Sequence, residues 1–118
     1  MFYTVNQNNS GGDYIQDEYV DQIVCVEADS ATEAEIVLEN LVDDHGYNDD
    51  SCPCCGDNFY ISLDETDGTD FISDGYGSDV EITELGVSDK RYRRYAIVHY
   101  KGGIRKKYDR VEKIWEVL

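Results

Sequence analysis

The chain has 118 residues, enough for one hydrophobic core and too few for two ordinary ones. Twenty-six acids against ten cations give a net charge of −16, yet 12% of the residues are aromatic, ten of them tyrosine, and only one is proline. That aromatic load excludes a disordered acidic tail, the single proline excludes a Pro-rich linker, and no run of about 18 apolar residues is present to span a membrane.

Phe2–Asn6 alternates and is rich in β-formers, so it reads as a strand. Gln7 to Asp13 is a turn or loop of residues that tolerate positive φ. Tyr19–Ala28 is a second strand, with a centre (Ile23-Val24-Cys25-Val26) that is apolar on both faces and therefore buried. Ser30-Ala31-Thr32-Glu33 has the capping-box pattern, and Ala34, Val37, Leu38, Leu41 and Val42 then form one apolar stripe opposite Glu35, Glu39 and Asn40. The spacing predicts a helix over about 31–43.

An irregular, Cys-containing loop follows at about 44–58. Phe59–Leu63 reads as a strand, Asp67-Gly68 as a hairpin turn, and Phe71-Ile72 as the start of its partner. A Gly/Asp/Ser loop leads to a strand at Val80–Leu85. Tyr95–Tyr100 is a clear strand, turned by Lys101-Gly102-Gly103 into Ile104–Tyr108; Val111–Leu118 is read as a last strand in preference to a short helix. The expected class is α+β: one domain over 1–118, an antiparallel sheet of about six strands with the amphipathic helix packed on one face.

The charge is split along the chain. Residues 1–89 hold twenty-three acids and no Lys or Arg, whereas 90–118 hold all ten cations against three acids, so the parts carry −23 and +7. Pairing of the cationic strands with acidic neighbours inside one fold accounts for part of this. The excess must face water, where it repels nucleic acid and membranes and speeds encounter with basic partners. Solubility alone is one account of that acidity; imitation of a polyanion is the other. Arg91, Arg93, Arg94, Lys101, Arg105, Lys106 and Lys107, interleaved with Tyr92, Tyr95, Tyr100 and Tyr108, would by themselves indicate a nucleic-acid surface, but the whole-chain charge opposes direct nucleic-acid binding.

Cys52-Pro53-Cys54-Cys55-Gly56 contains a C-P-x-C-G knuckle, whose thiolates two residues apart on a Gly-closed turn can share a tetrahedral zinc. One knuckle is half a site, and His45 and Cys25 are the candidates to complete Cys52 and Cys55; reduced thiols in a tight turn are the alternative. A redox pair is disfavoured because a strand, not a helix, is expected to follow. Asp64 to Asp70 is acidic but lacks the ligand spacing of a calcium loop. Asn8 to Gly12 follows a strand, but no Lys succeeds it as in a phosphate-binding loop. No nucleophile–base arrangement can be assembled, so an enzyme is not expected.

The opening Met1 to Gly12, with its Q-N-N-S-G-G loop, the segment Val26 to Ala34, the C-x-C-C-G-D module Cys52 to Asp57 and the hairpin His99 to Gly103 resemble a family of small, uncharacterised tailed-phage proteins. The resemblance implies a phage accessory protein at work in the bacterial cytoplasm, where small acidic proteins commonly bind host machinery, defence nucleases included. The expected function is binding and inhibition of a basic host protein, a defence effector or nucleic-acid-binding component, by an acidic, DNA-mimicking surface. Asp43, Asp44, Asp49, Asp50, Asp64, Glu65, Asp67, Asp70, Asp74 and Tyr76 are its candidate residues. The alternative is a module that sequesters a nucleotide signal or is held together by zinc.

Overall fold

The computed structural model describes residues 1–8, 15–48, 59–73, 82, 95–109 and 112–118. Among them five strands form one sheet: β1 (Phe2–Asn6), β2 (Ile23–Glu27), β3 (Tyr95–His99), β4 (Arg105–Asp109) and β5 (Ile114–Val117). They lie in the order β1-β2-β3-β4-β5, and one helix, α1 (Ala31–His45), packs against the sheet. The class is α+β, as the sequence implied. No helix among the described residues is long and apolar enough to cross a membrane.

The sheet is mixed. β1–β2, β3–β4 and β4–β5 are antiparallel, but the central pair β2–β3 is parallel. The physical reason is connectivity: the chain between β2 and β3 carries α1 and returns to the same end of the sheet, which is the crossover that parallel neighbours require. The all-antiparallel expectation is corrected there. Burial follows the pleat. Val24 and Val26 join Tyr3, Val5, Ala34 and Leu38 on the helix side, while Ile23 meets Ala96, Tyr108 and Ile82 on the opposite side. A strand buried on both faces is what the apolar run Ile23–Val26 had indicated.

Segment 59–73 departs from its expected hairpin. The Asn48 side chain takes the place of a neighbouring strand: its Oδ1 accepts from Phe59 N and its Nδ2 donates to Phe59 O, each at 2.9 Å. Glu65–Asp67 form a short 3-10 turn, closed reciprocally as Thr66 N donates to Asp64 Oδ1 and Asp64 N donates to Asp67 Oδ2, both at 2.8 Å. Thr69 then exchanges two backbone hydrogen bonds with Phe2 and covers the outer edge of β1. Gly68 lies so close to the Tyr3 ring that a Cβ there would stand 2.9 Å from Tyr3 Cζ. Of the expected strand Val80–Leu85, Ile82 alone is described; it is buried and its N–H donates to Ile72 O.

Asp21 joins loop 15–22 to the start of β3. Its side chain is 1% exposed, and Oδ1 accepts from Gln22 N at 2.6 Å, Tyr95 N at 3.2 Å and Gln16 Nε2 at 3.4 Å. Burial raises its pKa above the usual carboxylate value, against the lowering effect of those donors. The native state therefore holds this proton more tightly than the unfolded chain. The stabilisation is full below the unfolded value and is lost as pH rises through the native one. Asp21→Ala should cost about 1–3 kcal/mol in urea unfolding, since two backbone donors lose their acceptor. Asp21→Asn keeps an acceptor, and the stability of the natural chain relative to this variant should grow as the pH is lowered from 7 towards 4. A difference independent of pH would reject this role.

Candidate protein-binding surface

Helix α1 forms where its caps place it. Ser30, in extended conformation, accepts from Glu33 N at 3.2 Å, and Gly46 takes the left-handed conformation with φ 66° that ends the helix. Tyr47 N closes back on Val42 O at 3.1 Å. The buried stripe is Ala31, Ala34, Leu38 and Val42, with Leu41 half-buried and Val37 exposed, so the helix is turned slightly from the stripe read in sequence.

That rotation sets the acids. Glu35, Glu39 and Asp43 succeed one another at i, i+4 and i+8, along the flank that faces segment 59–63. Glu35 Oε1 accepts from Leu63 N at 2.6 Å and ties the segment to the helix. Beyond this tie, Glu39, Val42, Asp43, Asn48, Phe59, Tyr60 and Ile61 line an open groove of about 330 Å³. Glu39, Asp43 and Asp44 are exposed, and their carboxylates pair with no described cation. Tyr60 is 80% exposed at the groove wall.

Like charges at i, i+4 destabilise a helix, and carboxylates in its last turn oppose the partial negative charge of the C-terminal carbonyls. The fold thus keeps Glu39, Asp43 and Asp44 at some cost to α1. Glu39 and Tyr60 were not among the sequence candidates. The signal for Glu39 was its i, i+4 relation to Asp43, readable from the helix spacing; nothing local marked Tyr60.

Other candidate acids serve the fold. Glu65 Oε1 accepts from Ala31 N at 3.1 Å at the start of α1, and its Oε2 accepts from Tyr3 OH at 3.2 Å. Asp64 and Asp67 close the 3-10 turn, and the Thr66 hydroxyl, then its N–H, hold the Asp64 carboxyl below its usual pKa. These three carboxylates, expected in sequence to bind a partner, cap donors of the fold and also reach the surface. Asp70 is exposed. Asp49, Asp50, Asp74 and Tyr76 lie outside the described residues.

The structure separates the two described members of the candidate zinc set. His45 ends α1 on the helix side, between the rings of Tyr19 at 4.3 Å and Tyr47 at 5.3 Å. Cys25 is fully buried in β2 on the opposite face, in register with Thr4 and Val98. Burial pushes its thiol up to about 12. Cys25 and His45 therefore do not share one tetrahedral site. Among the described residues no group of three or more His, Cys, Asp or Glu is placed to hold a metal ion; Cys52 and Cys55 lie outside them.

Residues 1–116 match the family model of a domain of unknown function, DUF7296. No curated protein and no solved structure matches the chain.

The charge placement on α1 has a measurable cost. Asp43→Lys and Asp44→Lys should each raise stability by about 0.3–1 kcal/mol at low salt, read as a higher Tm that converges with the natural chain as salt is added. Lower stability would show that these acids have partners in the fold. For Cys25, a thiol-specific reagent at pH 8 should leave this side chain unmodified in the native protein and modify it once urea unfolds the chain, located by peptide mass mapping. Modification of Cys25 in the folded state would reject its burial.

Proposed function

The chain belongs to the DUF7296 family, a domain of unknown function, and we propose that it is a phage accessory protein that binds and inhibits a basic host protein through its acidic surface. The observation that supports this reading is the flank of α1. Glu39 and Asp43 stand one helical turn apart, Asp44 lies beside them, and all three are exposed and unpaired among the described residues. Successive acids at i, i+4 rise about 6 Å along the axis, a row of negative charge held on a rigid rod.

Such a row presents to a basic groove what the backbone of a nucleic acid presents: regularly spaced anions whose contacts with Lys and Arg dominate affinity. Electrostatic attraction steers the encounter, and Tyr60, exposed beside the row, supplies the amphipathic ring favoured at interface centres. The host partner in this reading is a nucleic-acid-binding or defence component of the bacterial cytoplasm. No bond is made or broken in it: inhibition follows from occupancy of the partner's polyanion site.

The test uses the tagged chain as bait in bacterial lysate, washed at low and at moderate salt, with bound proteins identified by mass spectrometry. A nucleic-acid-binding protein should be retained at low salt, depleted at moderate salt and displaced by added duplex DNA. The triple variant Glu39→Gln/Asp43→Asn/Asp44→Asn should lose that partner while keeping its fold. Capture that ignores salt, DNA and the triple variant rejects polyanion mimicry.

A further inference from the structure

We propose that the free edge of β5 is a second binding surface, which takes an extended segment of a basic partner as an added strand. The sheet has two edges, and they are managed differently. At β1, Thr69 exchanges backbone hydrogen bonds with Phe2. At β5 nothing among the described residues pairs on the outer side.

The pairing with β4 fixes which groups are free. Leu118 N donates to Arg105 O at 3.0 Å, and Val117 and Trp115 stand opposite Lys106 and Tyr108. In an antiparallel ladder, hydrogen-bonded and non-hydrogen-bonded pairs alternate. The N–H and C=O groups of Trp115 and Val117 therefore point away from β4, the arrangement that an added strand completes. The side chains are open as well: Ile114 is 58% exposed, Val117 67% and Trp115 37%.

Charge selects the occupant. If a second copy paired through these groups, with Trp115 opposite Val117 in both directions, each Glu116 would face the other Glu116. Like charges directly opposite destabilise a pair. The same carboxylate favours a Lys or Arg at that position. No described cation pairs with it: the Lys107 ammonium, its neighbour across the ladder, sits over the Tyr95 ring at 4.2 Å. Glu116 opens onto a groove of about 370 Å³ shared with Tyr95, Lys107, Asp109, Glu112 and Ile114. The fitting segment is extended, with a cation opposite Glu116 and apolar residues on either side of it, opposite Trp115 and Val117. This surface is built from residues other than the α1 flank and does not rest on that reading.

Trp115 is the sole tryptophan of the chain, so its emission reports on this edge. The full-length protein is titrated with a capped peptide whose core is valine-arginine-valine, and in parallel with one in which glutamate replaces the arginine. The arginine peptide should shift Trp115 emission to the blue in a saturable way and bind about tenfold or more tightly than the glutamate peptide. Val117→Pro removes an outward N–H and leaves the β4 ladder intact; it should weaken the arginine peptide about tenfold with an unchanged circular dichroism spectrum. Glu116→Gln should weaken it several-fold, covering the case in which the proline variant does not fold. The triple α1 variant should bind the peptide normally. No saturable shift, equal binding of both peptides, or undiminished binding to folded Val117→Pro would overturn the proposal. So would a blue shift that follows the protein's own concentration, which makes a second copy the occupant. Loss of the peptide only in the α1 variant would place it on the helix flank instead, and leave the first reading standing.

Discussion

The parallel pairing of β2 with β3 is the constraint on which the rest of the sheet depends, because it joins the two charge halves of the chain. β2 belongs to the stretch without a single Lys or Arg, and β3 lies within the cationic end. Loop 15–22 seals the junction with polar contacts. The Asp21 carboxylate accepts from Tyr95 N, and His99 Nε2 donates to Tyr19 O at 2.7 Å. Burial lowers the His99 pKa, against the raising effect of this bond. The Arg105 guanidinium lies over the Tyr19 ring at 4.2 Å and donates to Glu18 O. Among the described residues the three cations of β4 meet aromatic rings, and Arg105 also a carbonyl oxygen. Among the described residues the ion pair is Lys101–Asp29, with both side chains well exposed, a kind of contact that water and salt largely screen.

The aromatic residues extend this junction across the molecule. From Arg105 the contacts run through Tyr19, His45 and Tyr47 to Phe59, with ring separations from 4.3 to 5.9 Å. Asp17 fixes the middle: Oδ1 accepts from Tyr19 N and Val20 N, and Oδ2 accepts from Tyr47 OH at 2.6 Å. The end of α1 is thereby tied to the cationic hairpin. The helix flank facing segment 59–63 keeps a fixed orientation relative to the sheet. His45, met in sequence as a metal candidate, is a ring in this stack.

Where local pattern carried the information, the sequence reading was close. β1 has the bounds the alternation predicted, α1 starts at the Ser30 cap, and the last three strands lie where β-formers and the Lys101-Gly102-Gly103 turn put them. What failed was non-local. Alternation gives a strand's faces and is silent on its direction, so the parallel pair was not legible. Phe59–Leu63 has strand composition, but its hydrogen bonds go to the Asn48 and Glu35 side chains. Gln7 looked like a loop residue and is a buried latch, with its amide bonded to Ile15 and to Asp21 O. Glu65 reaches Tyr3 and Ala31, 62 and 34 residues away. No local spacing encodes such contacts.

Among the described acids two groups stand apart that composition could not separate. Asp17, Asp21, Glu35, Asp64, Glu65 and Asp67 accept backbone N–H groups where the chain leaves its regular ladders. Negative charge there replaces hydrogen bonds that loops cannot make for themselves. Glu39, Asp43 and Asp44 do none of this. They stand in and beside the last turns of a helix, where both the neighbouring charges and the terminal carbonyls disfavour them. Solubility would be served equally by acids at the start of the helix, where the same charge stabilises it. Glu39 and Asp43, at one groove beside the exposed Tyr60, are the acids that the proposed binding role would use.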